Sequence, residues 1–221
     1  MSSKVDRAIH GPSWTEVILG AVLSLILGVV LGAVLLILKP VDKVNEPPKE
    51  PATGVVYYIQ GSQAGSRDRA LAKQKAFVDG QSVQVTEDDL NSLMLSLAAG
   101  TAPGGKKPAP AGTEMLSPGT PNFRIQHGVL QVGLPMVLNV AGLTEPIIVQ
   151  ARGGFEKKGG VFVYEPSELY LGSCPVQRLP FVGSYLRSKA LETHPVPADV
   201  AAAWKKLSSV SIDGNTLALS Q

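Results

Sequence analysis

Only one cysteine, Cys174, stands in the 221 residues of this chain. A lone thiol closes no disulfide within the chain and excludes a metal site built on paired cysteines. Because one thiol suits any compartment, it does not locate the protein. Charge of one sign is missing too: 20 Lys+Arg against 18 Asp+Glu leave a net charge of +2. Nucleic-acid binding calls for a strong basic stripe, so no nucleic-acid partner is expected. Catalytic signatures are also lacking, with no G-x-S-x-G elbow, no H-E-x-x-H pair and no EF-hand loop. The acidic run Glu87, Asp88 and Asp89 falls at an expected helix start, where the helix dipole accounts for it without a metal. Neither metal nor cofactor is expected.

What the chain does have is an apolar run. Val17–Leu38 contains 22 residues without a charge. At about 1.5 Å per residue it covers the roughly 30 Å hydrocarbon layer with slight tilt. Trp14 precedes it and Lys39 follows, an aromatic and a cation at the two interfaces. A cleaved signal peptide has a shorter apolar region, about 7–15 residues, and a small-x-small site after it. Here the run is longer and ends in Leu-Leu-Ile-Leu-Lys-Pro, which predicts a retained transmembrane anchor. Lys4 and Arg7 on one side nearly balance Lys39, Lys43 and Lys49 on the other. The expected orientation, with residues 1–16 cytoplasmic and the large domain outside, follows the usual insertion of uncleaved anchors with short tails. Gly20, Ser24, Gly28 and Gly32 recur every four residues, a spacing that lets membrane helices pair. A homo-oligomer through this helix is therefore one expectation, and chance spacing of common glycines is the other.

Residues 39–54 are proline-rich, with four prolines between 40 and 54, and read as a stiff, unpacked spacer. The domain is expected over 55–221, interrupted at 99–121 by a mobile loop of Ala, Pro, Gly and Lys. Val55–Gln60 reads as a strand, 67–78 as a helix, and Val83 with Val85 as a short strand. Thr86 and Asp89 form a variant capping box ahead of Leu90, Leu93, Met94, Leu97 and Ala98, which match the helical template throughout. After the loop the apolar period becomes two. Leu130–Val140, 147–156, 161–165 and 169–173 read as half-buried antiparallel strands, with Pro135 marking an edge or bulge. Two helices follow. One spans Phe181–Leu191, with Val182, Tyr185, Leu186 and Ala190 on one face; the other is opened by Pro197, with Val200, Trp204 and Leu207 inward. Val210–Ile212 and Leu217–Leu219 make a terminal hairpin. The expected fold is α+β, a curved antiparallel meander packed against helices and preceded by one transmembrane helix.

Three local features invite a functional reading. Gly61–Ser66 lies between strand and helix, where phosphate loops occur, but lacks their Gly-Lys-Ser/Thr ending, so a flexible turn with a helix cap is expected. Arg67, Arg69, Lys73 and Lys75 make the following helix basic, either a solvated face or a contact for anionic lipid headgroups. Cys174 would be a nucleophile only if His127 or His194 approached it; otherwise it is a small buried thiol.

The entry VQVTEDDLNSLMLSL (Val83–Leu97), with its T-x-x-x-L-N start, and the ending PADVAAAWKKLSSVSIDGNTLAL (Pro197–Leu219) bracket the meander. Together they resemble small membrane-anchored bacterial envelope proteins of unknown function with lipid-binding-like folds, over residues 83–219. The Pro/Ala-rich loop departs from their compact form. The resemblance implies an apolar groove between helix and sheet and no enzymatic residues. The functional expectation is a single-pass, non-enzymatic envelope protein of the cell membrane. Its domain would hold a lipid, another apolar ligand or a protein partner. The alternative is a membrane-anchored hydrolase using Cys174.

Overall fold

The computed structural model describes residues 12–44, 46, 48–50, 52–99, 116–140, 142–177, 183–186, 188 and 195–221. Helix α1 (Trp14–Leu38) is capped by Ser13: its hydroxyl accepts from Glu16 N–H while the Glu16 carboxylate accepts from Ser13 N–H. It is the one helix among the described residues long and apolar enough to cross a membrane. Two strands follow, β1 (Asp42–Val44) and β2 (Tyr57–Ile59), paired in parallel. The proline-rich spacer is therefore not wholly unpacked: its Asp42–Val44 segment joins a ribbon.

Helix α2 (Arg67–Val78), strand β3 (Val83–Thr86) and helix α3 (Glu87–Ala98) have the bounds expected from sequence. The Thr86–Asp89 capping box is formed in both directions. Most of the expected loop lies outside the described residues, but its end is structured, with Leu116–Pro118 forming β4. Strands β5 (Asn122–Gln126), β6 (Val129–Val140), β7 (Leu143–Lys158), β8 (Val161–Leu171) and β9 (Cys174–Pro175) then build the antiparallel meander. The β7–β8 turn is Gly159–Gly160, both at positive φ. That is the two-residue hairpin geometry that fits strand twist.

Strand β6 pairs with β7 on one side and with both β4 and β5 on the other. Pro135 sits opposite the break between β4 and β5, and its carbonyl accepts from Gly119 N–H at 2.7 Å. Its missing N–H thus falls where no strand needs it. Between β7 and β8 the register shifts at Arg152/Gly153, leaving Ser167 as the extra residue. A bulge of this kind bends and twists the sheet. Gly153 lies there with no room for a side chain against the Glu165 carbonyl.

Helix α4 (Ala198–Trp204) and the hairpin β10 (Ser209–Asp213) and β11 (Thr216–Ser220) complete the chain. The hairpin does not extend the meander. It pairs through β11 with β3 in a separate three-stranded sheet. In the expected helix before α4, residues 183–186 are helical; Leu186 is buried but Tyr185 is half exposed instead of inward. Val182 and Ala190 lie outside the described residues.

Two apolar clusters form the core. One gathers Leu134, Met136, Ile147, Val149, Leu169, Cys174, Val176 and Leu186, with Ala33 and Ile37 of α1 packed against it. The other joins Phe77, Val85, Ile125, Leu130, Ala203, Leu207, Leu217 and Leu219. The second sheet face is not left to solvent, as half-buried strands would suggest. Tyr58 of β2 lies against Gly133, and Gln131 Nε2 donates to the Ile59 carbonyl at 3.1 Å.

Candidate functional site

The most distinctive local arrangement surrounds α3. Its apolar set Leu90, Leu93, Met94 and Leu97 would ordinarily make the buried face of an amphipathic helix. Instead its fully buried residues are polar: Asp89, Asn91, Ser92 and Ser96. Leu90, Leu93, Met94 and Leu97 are only half-buried. The reversal has a hydrogen-bonding cause. The Asn91 side chain donates to the carbonyls of Ser62 (2.7 Å) and Phe123 (2.8 Å) and accepts from Phe123 N–H at 2.7 Å. The Glu87 carboxylate accepts from Ser62 N–H (3.0 Å) and Ile125 N–H (2.9 Å). On the neighbouring strand, Asn122 Oδ1 accepts from Gly61 N–H at 2.7 Å and from the Tyr58 hydroxyl at 3.3 Å. Burial pushes the Tyr58 phenol up to about 12.

These bonds hold Gly61–Ser66 against α3 and β5. The turn was expected to be flexible and to cap the next helix. It is pinned, and Ser66, though at the N-cap position, makes no side-chain cap bond. Gly61 leaves no room for a Cβ against the Phe123 carbonyl, and Gly65 none against the Asp88 carbonyl. The glycines are there for close packing, and the Gly61 and Ser62 amides are already taken by Asn122 and Glu87.

Asp89 is the electrostatic centre of this face. Its side chain is 0 % exposed and pairs with Arg69 Nε at 2.9 Å and Lys73 Nζ at 2.7 Å. Thr86 N–H and Oγ1 also donate to it. Burial alone raises the Asp89 pKa, but the bonds from Lys73, Thr86 and Arg69 outweigh it and carry the value from 3.8 down to about 2. Two of the four cations weighed as headgroup contacts or a solvated face are therefore committed to the protein itself. Arg67 and Lys75, from the same expected set, are exposed.

With its polar side bound inward, α3 lays its apolar side along a cavity of about 220 Å³. The walls are Leu90, Leu93, Met94 and Leu97 of α3, Ala70 and Phe77 of α2, and Val83, Val85, Leu217 and Leu219 of the sheet. Val196, Val200 and Trp204 close the far side, and Lys73, Gln74 and Asp89 add polar atoms to the lining. The volume falls below the roughly 300–1,000 Å³ of pockets for drug-sized ligands.

Among the described residues, the other sequence-derived candidates stand in separate places. Cys174 is buried in the first apolar cluster. His127 lies in the β5–β6 turn, beside Gly128, whose N–H donates to the Gly214 carbonyl in the β10–β11 turn. His194 lies outside the described residues. No group of three or more His, Cys, Asp or Glu is placed to hold a metal among the described residues. A Cβ built at Gly20, Gly28 or Gly32 would meet nothing within 4 Å, and Ser24 is exposed. At about 100° per residue this stripe is centred opposite Ala33 and Ile37. Docking of α1 on the domain therefore leaves the stripe uncovered.

The contact of α1 with the domain gave no sequence signal. Ser173 N–H donates to the Leu36 carbonyl at 3.0 Å, and the Ser173 hydroxyl donates to the Lys39 carbonyl at 3.4 Å. Lys39 Nζ in turn donates to the Gly54 carbonyl at 3.1 Å. No protein-family model, curated protein or solved structure matches the chain.

Proposed function

We propose that this is a membrane-tethered, non-enzymatic binding protein that holds a narrow apolar chain, such as a lipid acyl chain, in the groove over α3. One observation carries the reading: α3 commits its polar residues to buried hydrogen bonds and leaves Leu90, Leu93, Met94 and Leu97 lining a cavity. A solvent-facing helix gains nothing from four large apolar residues on one side, and apolar concavities mark ligand sites.

The tether belongs to the same reading. Ala33 and Ile37 pack against the core cluster, and Ser173 caps the end of α1. Cleavage beyond α1 would expose that patch, which favours a retained anchor. In the same reading the domain lies outside the cell membrane and the short tail in the cytoplasm, the usual insertion of an uncleaved anchor with a short tail.

The experiment is native mass spectrometry of the full chain released from detergent, together with titration of a fluorescent fatty acid. The expected result is a co-purified acyl-chain molecule, and at least about tenfold weaker binding for Leu93→Trp, which fills the groove. That loss corresponds to about 1.4 kcal/mol. A chain that carries no apolar molecule and binds the probe as well after Leu93→Trp would overturn the reading.

A further inference from the structure

Beyond the groove over α3, a second cleft lies where α1 leaves the bilayer, and nothing in the proposed function uses it. Its volume is about 370 Å³. One wall is the exit of α1 and the chain after it, Ile37, Lys39, Val41 and Lys43; the other is the sheet face carrying Val137 and Ile148. In an extended segment alternate side chains share a side. Lys39, Val41 and Lys43, with Pro40 between the first two, all line the cleft, while Asp42 does not.

The depth of this cleft follows from the length of α1. Counted from Val17, the first residue beyond the Glu16 charge, about 20 residues at 1.5 Å each use up the 30 Å hydrocarbon layer. That count ends at Leu36. Ile37 and Lys39 then fall in the headgroup layer, roughly 5–7 Å thick on each side, and Lys43, a few extended residues further on, reaches toward it through its long side chain. Ser173 and the Ala33–Ile37 packing hold the sheet at this level, so the cleft opens where phospholipid headgroups lie. It offers apolar walls and two ammonium groups. The Lys43 ammonium makes no ion pair or hydrogen bond among the described residues, and Lys39 spends one of its three donors on Gly54.

We infer that this cleft is a binding niche for one anionic phospholipid of the surrounding leaflet, with its phosphate between Lys39 and Lys43 and its upper acyl chain against Val137 and Ile148. The inference rests on the reading that α1 spans a bilayer, but not on a ligand in the α3 groove.

The test uses the full chain in vesicles of phosphatidylcholine doped with photoactivatable phosphatidylglycerol or photoactivatable phosphatidylcholine. Cross-links would be mapped by peptide mass spectrometry, after alkaline extraction has established that the chain stays in the membrane. Labelling of the 136–148 segment is expected to favour phosphatidylglycerol. Lys43→Gln should lower that preference about fivefold, the effect of one basic residue at an anionic surface, and Lys43→Arg should keep it. Val137→Trp, which fills the cleft, should reduce labelling by both lipids. Equal labelling by the two lipids, or a preference unchanged in Lys43→Gln, overturns the niche. Release of the chain by alkaline extraction overturns the membrane span instead.

Discussion

The backbone N–H of Ser173 donates to the carbonyl oxygen of Leu36 at 3.0 Å, so a turn of the β-sheet closes the end of the apolar helix α1. The last carbonyls of a helix lack partners of their own, and an unpartnered one near hydrocarbon is costly. Gly172 makes the approach possible. It adopts φ +59, and a Cβ there would collide with the Ile37 carbonyl. The domain is thus held directly on α1 as well as through the chain that follows it.

Gly172→Ala is expected to loosen this junction. The left-handed backbone and the collision together cost about 2–3 kcal/mol. The change should appear as a lower unfolding temperature of the full chain in detergent. The Ser173 amide should also exchange its hydrogen faster, while amides of β10 and β11 are unaffected. Unchanged protection of Ser173 would refute the docking.

Asp89 should give the fold an acid-sensitive component. Its carboxyl titrates at about 2 in the folded chain against 3.8 in the unfolded one. A depressed carboxyl stabilises above its unfolded value, and that stabilisation disappears as pH falls from about 4 to 2. The amount is about 2 kcal/mol. Asp89→Asn should cost about 2–3 kcal/mol at pH 7 by leaving Arg69 and Lys73 without their anion. Its disadvantage against the wild type should shrink toward pH 2, measured by urea unfolding across that range. A constant difference at every pH would contradict the assignment.

Which parts of this architecture were readable in the sequence follows from where the determinants lie. The bounds of α2, β3 and α3 are set by residues near in the chain, by the apolar period and by the Thr86–Asp89 cap. The alternation in β6 and β7 likewise records a sheet with a core face. The buried side of α3 was not readable, because Asn91 finds its partners at Ser62 and Phe123, about thirty residues away in either direction. The same holds for Arg69 and Lys73. A basic stretch looks like a surface until the carboxylate of Asp89, 20 and 16 residues on, is placed between them. Docking of α1 depends on Gly172 and Ser173, more than 130 residues from Leu36. No local pattern encodes that distance.

Trp204 joins α4 to the sheet through polar and aromatic contacts together. Its Nε1 donates to the Phe162 carbonyl at 2.7 Å, and its ring meets Phe77 at 6.5 Å and Phe155 at 5.7 Å between centroids. Trp204→Phe keeps most of the packing and loses the bond, for an expected cost of about 1–2 kcal/mol. Trp204→Ala also opens a cavity beside the groove and should cost about 3–5 kcal/mol. Chemical denaturation of the two variants checks the ranking.

The reversed burial of α3 makes a prediction opposite to the usual rule for amphipathic helices. Asn91 is 1 % exposed and makes three hydrogen bonds to backbone groups of two other segments. Asn91→Ala leaves those groups without partners and should destabilise the fold by about 2–4 kcal/mol. Leu93 is half-buried and borders the cavity, so Leu93→Ser removes little packed apolar surface and should cost only about 1 kcal/mol. Its loss should show instead as weaker binding of a fluorescent fatty acid. Measured side by side, the polar residue of α3 is expected to matter more for stability and the apolar residue more for binding. If Leu93→Ser were the more destabilising of the two, the apolar side of α3 would be core, and the groove would lose its claim to a ligand.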